Sequence, residues 1–324
     1  MEKIDLKDRK ILYELDLDSR QSLTQIGKKV GLKKDVISYR IKRMENEGII
    51  KNYYALIDSY KLGYNVFRFY LVFQYCSPEI KNQIIEYLAK DKHTCVINSL
   101  IGRYDLVVFL WIKNINDFYS FWEKMLDSYG DYFAEKIFSL YVKWYSYRNS
   151  YILLEDFKES DRLTYEITGG YAESVAIDEA DYCLLNEIAE NARKPLIELA
   201  EKLNCSSQMV SYRLNNLMKK GVIQAYQVGL DISKFGLKHF KIDAHLKEHT
   251  QRKHIINYIK NNPYLTFIGF SAGVSDLELE FFLEDSDKLN QIMEDINLKF
   301  PGAIRKFEYF TVAKKHKLRF IPEH

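Results

Sequence analysis

Apolar residues along the first fifty positions recur at intervals of three and four, the rhythm of helices that each bury one face. Leu6, Ile11, Leu12 and Leu15 form the first stripe, with Asp5 and Asp8 near the helix end that favours acids. The run from Asp18 to Ser22 interrupts it, and Ser22 with Gln25 three residues on is a capping signature. Leu23, Ile26 and Val30 mark a short second helix that Gly31 ends. A third helix is predicted from about residue 34 to 47, with Ile37, Ile41 and Met44 as its stripe and Gly48 as its stop. Two helices joined by such a short turn make a helix-turn-helix. Residues 49–56 then read as a short strand, expected to form a wing.

Farther on the rhythm drops to two. Phe67, Phe69, Leu71, Phe73 and Tyr75 alternate along a strand. A helix over 78–90 follows, carrying Ile80, Ile84, Tyr87 and Leu88 inward. Strands over 94–100 and 105–112 flank the turn Gly102-Arg103-Tyr104, and a helix over 116–128 and a strand over 134–147 complete the set. The order β-α-β-β-α-β is the ferredoxin-like split arrangement. Then the chain repeats itself. Residues 4–63 align without a gap on 177–236 at an offset of 173, with about 17 of 60 positions identical. A second βαββαβ pattern follows over 240–246, 251–261, 265–272, 276–283, 288–299 and 304–313. A period that long means domain-sized copies rather than a solenoid.

The expected fold is therefore α+β: two winged helix-turn-helix domains, 1–60 and 174–233, alternating with two ferredoxin-like (βαββαβ) α/β sandwich domains, 61–150 and 234–324. The connector 151–173, with Gly169-Gly170, is too aromatic and aliphatic for a plain flexible linker. Each sheet with both helices on one side leaves its other face bare. The aromatic strand faces, Phe67, Phe69, Leu71 and Phe73 with Tyr141, Trp144 and Tyr145, call for a cover. The simplest cover is the other sheet of the same chain, an intrachain pseudo-dimer, or the sheet of a second chain in a homodimer.

Whole-chain charge says little: the 324 residues carry a net +2. Its distribution says more. Residues 1–52 hold 13 Lys and Arg against 9 Asp and Glu, a net +4, while residues 174–226 hold 6 against 7, a net −1. The first copy suits a polyanion better. Cys76, Cys95, Cys183 and Cys205 are scattered without CxxC spacing, which fits reduced thiols rather than a disulfide framework or a zinc site. No apolar run approaches the length of a membrane span, and the charged start Met1-Glu2-Lys3-Ile4-Asp5 has no signal-peptide character. The expected location is cytoplasmic, with no membrane partner.

An opening Ile-Asp-x-x-Asp-x-x-Ile-Leu from Ile4, then Asp-Ser-Arg at Asp18, Val-Gly-Leu at Val30 and Val-Ile-x-x-Arg-Ile-x-x-Met-Glu-x-x-Gly-Ile-Ile from Val36 resembles the Lrp/AsnC family of transcription regulators. The following domain is similar to that family's effector-binding domain, with a Gly-x-Tyr-Asp turn at Gly102, Tyr104 and Asp105. The resemblance covers nearly the whole chain twice, as a tandem fusion in which one chain stands for a dimer. It implies double-stranded DNA as partner and a small-molecule effector, often an amino acid, held near the Gly102 turn.

Taking 100° per residue from Ile37, the arc opposite the apolar stripe of the third helix holds Asp35, Ser38, Tyr39, Lys42 and Arg43, with Lys33 and Lys34 at the helix start. Lys and Arg on such an arc pair with phosphates or guanine edges, and Ser and Tyr position on phosphates. The second copy presents Gln208, Ser211, Tyr212, Asn215 and Asn216, types that read adenine but carry no charge, with Lys219 and Lys220 a turn later. Arg40 and Arg213 lie beside the stripes and suit a DNA contact or a structural ion pair equally well. Copy one is expected to supply most affinity, and copy two to tune specificity or to serve as scaffold.

The resemblance makes Gly102, Tyr104 and Asp105, with Gly273 and Asp276 in the second copy, the candidate effector site; backbone N–H groups of such a turn can take a carboxylate. A plain β-turn needing glycine is the alternative, and Ser275 in place of the tyrosine departs from the motif. No Gly-rich phosphate loop or nucleophile–base set stands out, so no catalytic residue, metal or cofactor is expected and the chain is read as no enzyme. His239, His245, His249 and His254 cluster in the second half. They keep open one enzyme alternative, a siroheme decarboxylase-like tetrapyrrole enzyme sharing the Lrp/AsnC fold. A ligand-sensing or scaffolding protein without DNA contact is the third reading.

Overall fold

The computed structural model describes residues 4–156, 162–167 and 173–323, so the Gly169-Gly170 part of the connector lies outside the described residues. The first unit folds as α1 (Leu6–Leu17), α2 (Leu23–Val30), α3 (Lys34–Asn46) and β1 (Ile50–Ile57). Asp5 caps α1 in a reciprocal box with Asp8, and Ser22 caps α2 with Gln25. Gly31 ends α2 at φ 73°, a left-handed backbone that glycine adopts without penalty; in the second copy Asn204 holds the same place at φ 49°. Ile11, Leu12, Leu15, Ile26, Ile37 and Met44 are fully buried, so the helical stripes form one core.

The α/β unit continues as β2 (Asn65–Phe73), α4 (Pro78–Lys90), β3 (Thr94–Ile101), β4 (Leu106–Ile112), α5 (Ile115–Tyr129) and β5 (Phe133–Tyr147), and the connector adds β6 (Thr164–Ile167). The second half repeats the plan. Its helix-turn-helix is α6 (Glu179–Glu190), α7 (Leu196–Lys202), α8 (Ser207–Lys219) and β7 (Ile223–Leu230). Its α/β unit is β8 (Lys238–Leu246), α9 (Arg252–Ile259), β9 (Leu265–Ala272), β10 (Leu277–Leu283), α10 (Ser286–Lys299) and β11 (Ile304–Leu318). No helix of the described residues is long and apolar enough to cross a membrane.

The two halves interlock twice. The strand read as a wing pairs with its counterpart instead: β1 runs antiparallel to β7, Tyr53 opposite Val228 and Ala55 opposite Tyr226. Around this ribbon the backbone bonds come in symmetric pairs, Ser19 N–H to Tyr226 O at 2.8 Å and Ala192 N–H to Tyr53 O at 2.9 Å. The helix-turn-helix units are thereby fixed to each other. A shared ribbon satisfies the strands' hydrogen bonds, which sequence periodicity cannot distinguish from a local hairpin.

The second interlock closes the sheets. Strand order is β2-β4-β3-β11-β8-β10-β9-β5, and β5 returns to β2, so eight strands form a ring with β6 added beside β5. Each half contributes the ferredoxin-like order. Each last strand serves both halves: β5 pairs with β2 and then β9, β11 with β8 and then β3. The second sheet of the same chain thus covers the first.

The covered face is not that of Phe67, however, although Tyr141 does lie between the sheets. Phe67, Phe69 and Leu71 pack under α4 and α5, and the alternate residues Arg68 and Tyr70 point between the sheets. That interior combines an aromatic cluster of Tyr70, Tyr104 and Phe310 with buried charge. Arg68, fully buried, makes a bidentate pair with Glu278 at 2.5 and 2.8 Å. Asp243 sits nearby with no hydrogen-bond partner for its Oδ2 among the described residues. Burial, reinforced by the Glu278 charge, pushes Asp243 from its ordinary 3.8 up to about 7. A carboxyl with a raised folded-state pKa contributes stability below its unfolded value, and that contribution is lost as pH rises through about 7. Asp243→Asn is therefore expected to stabilise the protein by about 2–4 kcal/mol at pH 8 and hardly at all at pH 4, read by thermal unfolding at both pH values.

Candidate nucleic-acid interface

Helix α3 is held from behind and exposed in front. Ile37, Ile41 and Met44 bury its stripe, while Lys33, Lys34, Asp35 and Lys42 are exposed and Tyr39 is 64% exposed. Ser38 lies half-buried at the edge of this arc. Lys33, Lys34 and Lys42 hold no ion pair among the described residues, which leaves three cations free for a polyanion. An open hollow of about 490 Å³ at the α2–α3 turn is lined by Thr24, Lys28, Lys33 and Lys34 with Gly27, Gly31 and Leu32, extending the basic surface back onto α2. Asp35 sits in the first turn, where the helix dipole favours an acid.

The two arginines of α3 face the other way. Arg40 donates from Nη1 to Asp5 and to Asp8, both at 2.8 Å, and Arg43 donates from Nη2 to Asp8 at 2.5 Å. Asp8 is fully buried, so it ties α3 to the start of α1. The hydrogen bonds to Asp5 and Asp8 hold the Arg40 guanidinium above its ordinary range. Of the two readings open for Arg40, the structural ion pair is the one present. Arg43, expected on the open arc, is 14% exposed and leans back onto Asp8, a correction to its place on the DNA surface. The long side chain spans the arc and reaches a buried carboxylate that helical angles alone do not reveal.

The second copy uses the same device. Arg213 donates to Asp178 at 2.8 and 2.9 Å and to Asp181 at 2.7 Å. The backbone N–H of Asp181 and the Arg213 guanidinium hold Asp178 below the usual carboxylate range. Gln208 and Asn215 are exposed, Tyr212 is 67% exposed, and Ser211 and Asn216 are half-buried. Lys219 and Lys220 are exposed at the end of α8. One arc is cationic, its counterpart neutral. Sequence reasoning places Asp8 only at a helix start and passes over Asp181, although acid and arginine recur at matched places in both copies, a signal that the repeat itself carries.

The turn residues are set differently from an open ligand site. Tyr104 is buried, stacked on Tyr70 with centroids 4.2 Å apart. The Asp105 carboxylate accepts from the Phe73 N–H at 2.9 Å, and Asp276 accepts from the Leu246 N–H at 2.8 Å. Gly102, at φ 135°, lies where a Cβ would stand 2.9 Å from that of Phe310, and Gly273, at φ 115°, faces the Phe138 carbonyl. Gly102, Tyr104 and Gly273 thus do structural work at the seam between the sheets, and Asp105 and Asp276 within their own halves. His239 is buried against Glu280 at 2.8 Å, and no group of three metal-ligating side chains occurs among the described residues.

The sequence pattern of a winged helix-turn-helix DNA-binding family matches at residues 4–51 and again at 177–224, the two units that carry these arcs. An uncharacterized HTH-type transcriptional regulator of Pyrococcus furiosus is 30% identical over 160 residues, which cover 97% of that protein and 49% of this chain. The chain belongs to the Lrp/AsnC family of HTH-type transcriptional regulators. An HTH-type transcriptional regulator of Pyrococcus horikoshii is 31% identical over 122 residues, 77% of its length and 36% of this chain. This Lrp/AsnC protein is thus a tandem form, with two copies of a unit that its relative carries once, and a transcriptional regulator with helix-turn-helix DNA-binding domains. Among solved structures, the siroheme decarboxylase NirDL shares its fold along 98% of this chain and 94% of that one, with a TM-score of 0.63 and 12% identity. Identity that low shows a common fold alone.

Proposed function

We propose that this Lrp/AsnC regulator binds double-stranded DNA with α3 as its main source of affinity and α8 as a reader of base edges. The observation that carries this is the contrast between two arcs on one rigid ribbon: Lys33, Lys34 and Lys42 unpaired among the described residues on α3, against Gln208, Asn215 and exposed Tyr212 on α8. Cations release counterions from phosphates and bind any sequence, whereas amides make paired bonds to adenine. The role is regulatory and not catalytic. The test is selection of genomic fragments by the purified chain, repeated with Gln208→Ala/Asn215→Ala. A defined site is expected, with preference relaxed in one half-site of the variant. Random recovery by the unmodified chain at low salt would defeat the proposal.

Control by a small molecule belongs to the same reading. The exposed Gly102-Arg103 turn, beside the seam where the two sheets join, is the place where a ligand would reach both halves. Repeating the selected-site binding with each of the twenty amino acids tests it; a shift in affinity with one of them is expected, and no shift with any would remove it. Titration with an iron porphyrin, followed by Soret absorbance, separates the regulator from tetrapyrrole chemistry. Saturable one-to-one binding would support the enzyme.

A further inference from the structure

The pseudo-symmetry of the closed sheet fails at its interior. Register sets Arg68 of β2 against Lys241 of β8 as equivalent positions, and Tyr70 against Asp243. On the neighbouring strand, Val107 and Phe109 of the first half correspond to Glu278 and Glu280 of the second. Along these two strands the first half therefore presents one cation, Arg68, and no acid to the interior, whereas the second presents three acids and one cation, Lys241. The buried bond between the halves follows that difference. Arg68 reaches Glu278 across the seam, and Glu278 also accepts from Tyr141 of the first half at 2.7 Å and from Ser271 at 2.5 Å. Burial opposes ionisation of Glu278, yet the Arg68 charge and these bonds hold its carboxylate below the usual range. Lys241 is already engaged within its own half, by Glu280.

Shape differs in the same sense. Tyr141 lies over Gly269, where any Cβ would collide with the tyrosine hydroxyl. The equivalent of Gly269 in the first half is Asn98, and the equivalent of Tyr141 in the second is Val312.

We infer that each sheet is built to recognise the unlike half and to reject a copy of itself. Two first halves would enclose two Arg68 guanidinium groups without a carboxylate, and Tyr141 would meet Asn98. Two second halves would crowd six carboxyl groups around two lysines. A buried charge left without its partner is strongly destabilising, so like pairing is disfavoured by chemistry as well as by the tether. Every closed particle then carries one α3 and one α8.

Two measurements on the full chain test this. Light and isotopically heavy chains are unfolded together, refolded as a mixture and treated with an amine-reactive crosslinker. Links joining a first-half sheet to a second-half sheet are expected; links joining the first-half sheets of a light and a heavy chain would overturn the inference. Glu278→Val gives the second half the residue of the first. It is expected to lower the melting temperature by roughly 10 °C, and Arg68→Met added to it to restore at least half of the loss. Losses that simply add would overturn the role of this pair.

Discussion

Replacing Lys33, Lys34 and Lys42 together with alanine is expected to weaken binding to the selected DNA about 100-fold at moderate salt. The slope of log affinity against log salt should fall by about 2.7, from 0.9 for each phosphate no longer neutralised. Without DNA these side chains hold nothing together: none has an ion pair among the described residues, and all three are exposed. Folding stability should therefore stay within about 0.5 kcal/mol of the unmodified protein. The matching change on α8, Gln208→Ala with Asn215→Ala, removes no charge and should leave the slope as it was. Fluorescence anisotropy over a salt series measures both. An unchanged slope in the lysine variant would mean that the basic arc does not touch the backbone of DNA.

Asp8→Ala should have the opposite profile, with a large loss of stability confined to the first helix-turn-helix. Asp8 is fully buried and receives Arg40 and Arg43 while closing the cap of α1. Its removal leaves Arg40 with Asp5 alone and takes from Arg43 its buried carboxylate, guanidinium groups that are 21% and 14% exposed, a loss of about 2–4 kcal/mol once their partial solvation is allowed for. Asp181→Ala should cost the second copy less, about 1–2 kcal/mol, because Asp181 receives one arginine where Asp8 receives two, and Asp178 still holds Arg213. Hydrogen exchange reports each unit separately. Faster exchange throughout α1 to α3 in Asp8→Ala, with α6 to α8 unchanged, is the expected pattern; equal acceleration of both units would show that the two domains unfold as one.

These two variants also mark how far the sequence is legible. The stripes of Ile37, Ile41 and Met44 and the alternation of Phe67, Phe69 and Leu71 locate helices and strands, because periodicity reports which residues face a core. They also place Lys33, Lys34, Tyr39 and Lys42 on the outer arc, where the structure has them. Periodicity does not report which core is faced. The Phe67 stripe packs under helices while the opposite face, with Arg68, meets the second sheet, and no spacing rule distinguishes the two. The pairing of β1 with β7 and the long reach of β11 to β3 are hidden for the same reason: a strand's hydrogen-bonding edge carries no side-chain signature. Arg43 escapes a helical wheel because the wheel places Cα atoms, and a long guanidinium can reach round the helix to a buried acid.

The most direct test of the account is a hydroxyl-radical footprint of the chain on its selected DNA site, taken at low and at moderate salt. Two protected stretches on one face of the duplex are expected, of unlike sequence, with protection lost at one of them in the Lys33/Lys34/Lys42 variant. A perfectly palindromic site protected equally on both sides, and weakened equally by those substitutions, would contradict the assignment of different tasks to α3 and α8.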